Sequence, residues 1–151
     1  MRIQSDDLTG PEIAALLQEH LNDMTAVSPP QSKHALDLAG LKAIDISFWT
    51  LWQHQGLAGC VALKQLNIRQ AEIKSMRSAT AFRGKGLGKL LLQHVISEAK
   101  SRGYQQLYLE TGAMEYFTPA RSLYLSFRFE ACAPFACYNE DPNSVFMRLQ
   151  L

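Results

Sequence analysis

The clearest pattern of apolar and polar positions lies between Gly86 and Arg102, where apolar side chains recur every three or four residues. The stripe consists of Leu87, Leu91, Leu92, Val95, Ile96 and Ala99. This spacing predicts an amphipathic helix over residues 86–102. Glu98 and Arg102 have the i,i+4 spacing of an ion pair, and Gly103 is typical of a helix end.

Two short segments on either side of this helix are rich in apolar residues and predict β-strands. Residues 71–76 precede the helix, and residues 106–111 follow it. A strand, a long helix and a second strand in this order predict a parallel pair joined by a right-handed crossover.

The rest of the chain carries shorter patterns separated by turn residues. They predict a strand at 1–5, helices at 11–24 and 34–42, strands at 45–53 and 57–66, a short helix at 120–127, and strands at 129–133 and 144–149. The turn at residues 54–56 makes the second and third strands a hairpin. This order predicts a mixed α/β fold with a largely antiparallel first half.

Length and composition fit a single domain over residues 1–151. An apolar content of 47% is enough for a sizeable core. The formal net charge of +1 gives no overall field toward nucleic acid or a membrane surface. Because no apolar run approaches ~20 residues, and the first residues lack the apolar centre of a signal peptide, a cytoplasmic location is expected.

The cysteine and histidine content predicts no metal site. Cys60, Cys132 and Cys137 are odd in number and contain no CxxC pair, and the four histidines are scattered. Cys132 and Cys137 could meet across a bend, although buried free thiols fit a reducing cytosol better.

The most informative motif connects the predicted strand at 71–76 to the long helix. It reads Arg83, Gly84, Lys85, Gly86, Leu87, Gly88, and we call residues 83–88 the glycine loop. Glycines leave the backbone open to a ligand, and the first N–H groups of a helix have no partner within it. Together they predict a seat for a phosphate or diphosphate, with charge added by Arg83 and Lys85.

Two other phosphate motifs do not fit the spacing. A P-loop needs a glycine where Arg83 lies and a Ser or Thr where Leu90 lies. A dinucleotide fingerprint would place its third glycine one position later than Gly88 and would start directly after a strand. Only about forty residues follow Glu110, too few for the rest of a doubly wound sheet.

The remaining pattern, Arg/Gln-x-x-Gly-x-Gly/Ala, is met by Arg83, Gly86 and Gly88. It resembles the acetyl-coenzyme A signature of the GCN5-related N-acetyltransferase (GNAT) family. The resemblance extends over essentially the whole chain: residues 72–76 are similar to the family's fourth strand, 109–112 to its fifth, and 120–124 to the helix that carries its tyrosine. Residues 119–121, 134–135 and 141–147 resemble a group of small bacterial members with poorly defined substrates.

The resemblance implies a central mixed sheet of six to seven strands, splayed between strands 4 and 5 and flanked by about four helices. It implies an acetyl-CoA-dependent N-acetyltransferase that acts on a primary amine of a small molecule or peptide. Direct attack in a ternary complex is expected because no cysteine lies in a recognisable activated setting. The alternative is a non-catalytic module that senses acyl-CoA, and a homodimer through the C-terminal strands is compatible with the resemblance.

The resemblance also assigns residues to the cofactor. Main-chain groups of Met76, Arg77 and Ser78 would bind the pantetheine arm by strand addition. The glycine loop and neighbouring helix residues would hold the diphosphate. The full expected set is Met76, Arg77, Ser78, Arg83, Gly84, Lys85, Gly86, Leu87, Gly88, Lys89, Ala120 and Tyr124.

Two residues match catalytic positions of the family. Glu72 would be the general base, although an ion-paired strand glutamate with Lys74 is an equal alternative. Tyr124 would donate a proton to the leaving thiolate, with a packed core tyrosine as its alternative. Arg128 replaces the glycine that commonly follows this helix, and it must accept the backbone conformation that the glycine served.

The acceptor site is the least specified part of the sequence. The expected residues are His20, His34, Trp52, Glu110, Thr111 and Tyr138. His20 has i,i+3 spacing with Asp23, as His34 has with Asp37, but such pairs are more often solvated helix surface. Trp52 has the hairpin face as its alternative position.

Overall fold

The structure, a computed structural model, describes residues 1–32 and 36–151. The strands are β1 (Arg2–Ser5), β2 (Ile46–Gln53), β3 (Gly56–Gln65), β4 (Gln70–Ser78), β5 (Gln106–Gly112), β6 (Glu130–Ala131) and β7 (Ser144–Gln150). The helices are α1 (Pro11–Val27), α2 (Leu38–Leu41), α3 (Leu87–Ser101) and α4 (Thr118–Ser126). Short 3-10 turns cover Pro30–Ser32, Thr80–Phe82 and Glu115–Phe117.

Seven strands of the described residues form one sheet in the order β1-β2-β3-β4-β5-β7-β6. Its neighbouring strands run antiparallel except for β4 and β5, which are parallel. Gln70, Ala71 and Glu72 pair with Gln106, Leu107 and Tyr108. The ladder ends there although both strands continue, so the predicted splay between the fourth and fifth strands is confirmed. The mixed α/β prediction is also confirmed.

The sheet separates two apolar layers. On one face, α3 buries Leu91, Leu92 and Val95 completely against the strands. On the other face, α1 and α2 pack through Ile13, Leu16, Leu17 and Leu41. Complete burial of one such side chain contributes about 1.5–3 kcal/mol. The predicted helical stripe is therefore the face that holds α3, and thus the glycine loop, against β3 and β4.

Strand β4 contains a bulge where the splay begins, a feature that the sequence did not predict. Lys74 pairs with Ala62 and Arg77 with Cys60, so two residues of β4 oppose one residue of β3. Ser75 occupies the left-handed region at φ 52°. The thiol of Cys60 donates to the Ser75 carbonyl at 3.2 Å. A bulge bends its strand and increases the local twist, which helps to turn the end of β4 away from β5.

Several boundaries differ from the predictions. The helix predicted over residues 34–42 is only Leu38–Leu41 within the described residues, because Asp37 caps it by accepting from the Gly40 N–H at 2.8 Å. The strand predicted at 129–133 is reduced to Glu130–Ala131. All three cysteines are free, but only Cys60 is buried, so the expectation of buried thiols is wrong for Cys132 and Cys137.

Candidate active site

A cleft of about 630 Å³ opens where β4 and β5 separate. Its floor is formed by residues 72–78 of β4 and 109–112 of β5. Its walls come from the glycine loop, α4 and α1, the last through His20 and Met24. The splay therefore connects the predicted phosphate seat to the predicted catalytic residues in one continuous space.

The glycine loop presents its main chain to this cleft. Gly84 and Gly86 have φ values of 78° and 76°, and a Cβ at either position would meet no atom within 4 Å. The left-handed conformation costs a non-glycine residue roughly 1–2 kcal/mol. Gly86 is the N-cap of α3, so the free N–H groups of the first turn open beside it. Such a loop fits the diphosphate of coenzyme A.

Lys85 and Arg83 were predicted to add positive charge to the phosphate seat, but both side chains are engaged elsewhere in the structure. The Lys85 ammonium lies 5.3 Å from the ring centre of Phe82, and Lys85 is not among the residues that line the cleft. Arg83 lines the cleft, but its Nη2 contacts Asp23 Oδ2 at 3.4 Å and the Tyr116 hydroxyl at 3.2 Å. In this structure the seat is made by the backbone and the helix end.

The end of β4 supplies the predicted edge for the pantetheine arm. Met76, Arg77 and Ser78 line the cleft beyond the last pair with β5. The Arg77 side chain is buried and ion-paired with Asp23 at 2.7 Å and Glu19 at 3.1 Å. It is the main chain of this segment, not the Arg77 side chain, that can bind an extended ligand.

Glu72 lies in a closed polar cluster. Its side chain is 3% exposed, with Oε2 at 3.2 Å from the Lys74 ammonium. The Tyr138 hydroxyl donates to the same oxygen at 2.6 Å and accepts from Lys74 at 2.9 Å. Glu72 thus forms the ion pair with Lys74 that the sequence allowed, and its role as general base stays a prediction.

Glu110 lies half-buried on β5 and lines the same cleft. Burial raises the pKa of its carboxyl from 4.5 to about 7, and the negative charge of Glu72 acts in the same direction. The Ser144 hydroxyl and, after it, the charge of Lys74 offset only part of this increase in pKa. A carboxyl with this pKa exists in both protonation states near neutral pH, as a general base requires. Together, Glu72, Lys74, Glu110 and Tyr138 form what we call the acceptor end of the cleft.

Tyr124 is placed on α4, where it lines the cleft at 7% exposure. Burial raises the pKa of its hydroxyl, and the charge of Glu110 adds to this, so the phenol stays protonated. Its ring packs edge-on against Phe129, with the centroids 5.8 Å apart. Arg121, one turn earlier, donates to the carbonyls of Gly112 and Met114 at 2.7 and 2.9 Å, which fixes α4 to the end of β5.

Arg128 adopts the left-handed backbone conformation that a glycine commonly provides at this position. Its φ is 72°, and the Phe129 N–H still closes the helix end onto the Tyr124 carbonyl at 3.1 Å. The replacement therefore leaves the α4 end, and with it the position of Tyr124, intact.

The remaining acceptor predictions divide into three groups. His20 and Thr111 line the cleft with Glu110 and Tyr138. Burial lowers the pKa of His20 to about 4, with the Arg77 charge acting in the same direction, so this imidazole is neutral at pH 7. Trp52 lies on β2 and donates to Thr50 Oγ1 at 2.9 Å, away from the cleft, so its acceptor assignment is wrong. His34 lies outside the described residues.

Sequence reasoning missed the carboxylate that joins three walls of the cleft. Asp23 was interpreted as solvated helix surface with His20, yet it contacts Arg77, Arg83 and Tyr116. The i,i+4 spacing of Glu19 and Asp23 was the available signal, because it places both carboxylates on one face of α1. No sequence pattern indicated that Tyr116 would meet them.

Two further findings come from the described part of the chain. No helix there is long and apolar enough to cross a membrane. No group of three or more His, Cys, Asp or Glu side chains in those residues could hold a metal ion.

A split sheet, an open helix N-terminus, a half-buried acid and a buried phenol meet in one cleft, an arrangement that fits a coenzyme-dependent transferase. The acetyltransferase (GNAT) family model matches residues 13–129. The chain therefore belongs to the GNAT family, and it is an acyltransferase of the kind that uses acetyl-CoA as the acetyl donor.

Relatives and solved structures agree with this family over nearly the full chain. The uncharacterized N-acetyltransferase YsnE of Bacillus subtilis is 54% identical over 151 residues, which is 100% of both chains. A proposed acyl-CoA N-acyltransferase structure from Klebsiella pneumoniae has a TM-score of 0.76 at 26% identity, over 99% of this chain and 97% of that one. A GNAT acetyltransferase from Elizabethkingia anophelis, solved with acetyl-CoA bound, has a TM-score of 0.70 at 18% identity, over 99% and 97%.

Proposed function

We propose that this protein transfers the acetyl group of acetyl-CoA to a primary amine of a small molecule or peptide, by direct attack in a ternary complex. One observation carries the proposal: Glu110 and Tyr124 line the cleft together at the point where β4 leaves β5. An acid with a pKa of about 7 and a protonated phenol are the two proton-handling groups that this reaction needs.

The cofactor would be held by main-chain groups. The N–H groups of the glycine loop and the first turn of α3 suit the diphosphate, and the free edge of β4 at Met76–Ser78 suits the amide-rich arm. Ala120 lines the cleft beside Tyr124 and would contact the same arm. When bound, acetyl-CoA supplies an acetyl thioester at the splay.

Glu110 is the base that we assign. It takes a proton from the substrate ammonium, directly or through water, and so leaves a nucleophilic amine. Its raised pKa comes first from burial, which makes the carboxylate a stronger base than an exposed one. The Tyr124 hydroxyl holds the proton that the departing sulfur needs.

Glu72 supports the site in a different way in this proposal. Its carboxylate already accepts hydrogen bonds from Lys74 and Tyr138. Taking a proton from the substrate would therefore weaken the buried ion pair with Lys74. The earlier prediction of Glu72 as the base stays a prediction, and its contacts favour Glu110.

The acceptor end suits a cationic amine. Two carboxylates, Glu72 and Glu110, line it together with the single ammonium of Lys74, which Glu72 and Tyr138 already engage. The neutral His20 adds no positive charge to oppose an approaching ammonium. His20 and Thr111 are proposed to contact the acceptor from α1 and β5.

The raised pKa values of two cysteine thiols support direct attack over a covalent acetyl-cysteine intermediate. Burial raises the pKa of Cys60 to about 12 and also raises that of Cys132. A thiol becomes a nucleophile by lowering its pKa, so neither is suited to carry an acetyl group. The free state of all three cysteines agrees with the proposed cytoplasmic location. We also retain the homodimer through the C-terminal strands as a proposal, since β6 is one of the two edge strands of the sheet.

The test is to incubate the protein with acetyl-CoA and a panel of diamines, amino acids, peptides and arylamines, and to measure released thiol and acetylated product. We expect amine-dependent thiol release with product acetylated on nitrogen. Cofactor binding by calorimetry without turnover on any amine would contradict the catalytic proposal. If neither cofactor binding nor turnover were observed, the proposed cofactor site would also be wrong.

A further inference from the structure

Asp23 links three parts of the cleft through one carboxylate oxygen. Its Oδ2 accepts from Arg77 Nη2 at 2.7 Å, from the Tyr116 hydroxyl at 3.3 Å and from Arg83 Nη2 at 3.4 Å. Arg83 Nη2 also donates to the Tyr116 oxygen at 3.2 Å. We call the contacts of Asp23 with Arg83 and Tyr116 the Asp23 bridge. It joins α1 to the glycine loop and to the turn before α4.

The contacts of Asp23 are unequal in strength. The Arg77 side chain is 4% exposed and is also held by Glu19 at 3.1 Å, so this ion pair is fixed. Arg83 is 45% exposed and its contact is longer, at 3.4 Å. Exposed ion pairs contribute little to stability because water screens both charges. Arg83 can therefore leave Asp23 while Arg77 keeps α1 against β4.

Arg83 also lies beside the proposed diphosphate seat. It immediately precedes Gly84, and both residues line the cleft with Gly86 and Gly88. A diphosphate in that seat would offer several oxygens and more than one negative charge to the guanidinium, which favours charge-assisted and bidentate pairing. Asp23 offers an oxygen that already serves Arg77 and Tyr116. The ligand anion is the stronger partner for Arg83.

We propose that Asp23 is a positioning residue that holds Arg83 at the mouth of the cleft, and that cofactor binding transfers Arg83 from Asp23 to the diphosphate. The inference rests on the proposed cofactor seat in the glycine loop. The exchange breaks the link between α1 and the glycine loop, while the Tyr116 hydroxyl still contacts Asp23 directly. Because α1 carries His20 and Met24, it connects occupation of the cofactor seat to the wall of the acceptor end.

The test measures binding of coenzyme A, and of S-acetylpantetheine, which lacks the diphosphate, to wild-type protein and the Asp23→Asn variant. Removing the competing charge should tighten coenzyme A binding by about two- to fivefold, the range of an exposed ion pair. The S-acetylpantetheine affinity should not change. In an Arg83→Gln background, Asp23→Asn should have no effect on either ligand.

Two variants separate the bridge from the neighbouring Arg77 pair. Glu19→Gln removes a partner of Arg77 without touching Arg83, so it should leave the coenzyme A affinity unchanged. Tyr116→Phe keeps the Arg77 pair and loosens Arg83, so it should tighten binding in the same direction as Asp23→Asn but less. It also tests the proposal if Asp23→Asn folds poorly.

Equal or weaker coenzyme A binding by both Asp23→Asn and Tyr116→Phe would overturn the exchange. The same holds if the gain persists in the Arg83→Gln background or extends to S-acetylpantetheine. A wild-type protein that binds no coenzyme A would instead overturn the proposed function itself, so the two failures are distinguishable.

Discussion

The glycine loop and the acceptor end share one cleft but are built in opposite ways. The loop is six consecutive residues that present main-chain groups, and its conformation depends on positive φ angles at Gly84 and Gly86. The acceptor end gathers side chains from β4, β5 and the segment before β7, with Tyr138 reaching Glu72 across 66 positions of sequence.

Under the proposed function, this difference would let one region bind a common cofactor and the other decide specificity. Backbone N–H groups at a helix end are independent of side-chain identity, so they suit the constant diphosphate. The acceptor end works through pKa values and charges that depend on burial and on distant neighbours. Substitutions in the two regions should therefore alter different kinetic quantities.

The largest expected effect is on turnover at Glu110. Glu110→Gln keeps the shape but removes the base, so kcat should fall by roughly 10²–10⁴, with little change in coenzyme A affinity. In the wild type, kcat/KM should rise with pH through about 7 as Glu110 ionises. Glu115→Gln, in the exposed turn before α4, is the control and should retain activity. A variant with near wild-type turnover and the same pH profile would exclude Glu110 as the base.

Next in size is the effect of Gly86→Glu on the cofactor. A side chain at φ 76° is strained, and its carboxylate would lie where the diphosphate binds, so coenzyme A affinity should fall about a hundredfold. Gly103→Glu is a matched control, because Gly103 has φ 84° at the other end of α3. Calorimetry should show a loss of coenzyme A affinity for Gly86→Glu and none for Gly103→Glu. Similar affinities for the two variants would rule out the glycine loop as the diphosphate seat.

The two glutamates of the acceptor end should affect stability with opposite signs. The native pKa of Glu110 lies above its ordinary 4.5, so its contribution to stability is present below pH 4.5 and is lost as pH rises through about 7. Glu110→Gln should therefore be more stable than wild type by about 3 kcal/mol at pH 8, and equal to it near pH 4.

Glu72→Gln should lose about 2–3 kcal/mol at pH 8, because it leaves buried Lys74 without its carboxylate. Urea titrations at both pH values measure these differences. If both variants were destabilised equally at pH 8, the assignment of different roles to Glu72 and Glu110 would be wrong.

The smallest expected effect is at Tyr124. Tyr124→Phe preserves the packing on Phe129 and removes only the proton donor, so kcat should fall about tenfold while cofactor affinity is unchanged. Single-turnover measurements with a good and a poor thiol leaving group would sharpen the result. An equal loss for both leaving groups would indicate that Tyr124 acts through packing alone.

Most of the architecture could be predicted because its signals are local. The helical stripe from Leu87 to Ala99 predicted α3, and the glycines before it predicted a loop with an open main chain at its N-terminus. The bulge at Ser75 and the short α2 were missed, since a register shift and a side-chain cap leave little trace in an apolar pattern.

The acceptor side was predicted less well. Trp52 was assigned there from its residue type, yet its strand lies on the other side of β3 from the splay. Lys85 was assigned to the anion from its charge, but its ammonium lies over the Phe82 ring. The position of the strand in the sheet decided the outcome for Trp52, and the direction of the side chain decided it for Lys85.

By itself the sequence determined the periodicity that buries α3, the glycines that allow a left-handed turn, and the family to which the chain belongs. These properties are fixed by neighbouring residues, because dihedral preference and helix periodicity act over a few positions. Only the tertiary structure decided that Glu72 is neutralised by Lys74, that Glu110 is the acid with a raised pKa, and that Asp23 holds Arg83. Desolvation and charge pairing depend on which distant groups meet in space, and no local pattern specifies that.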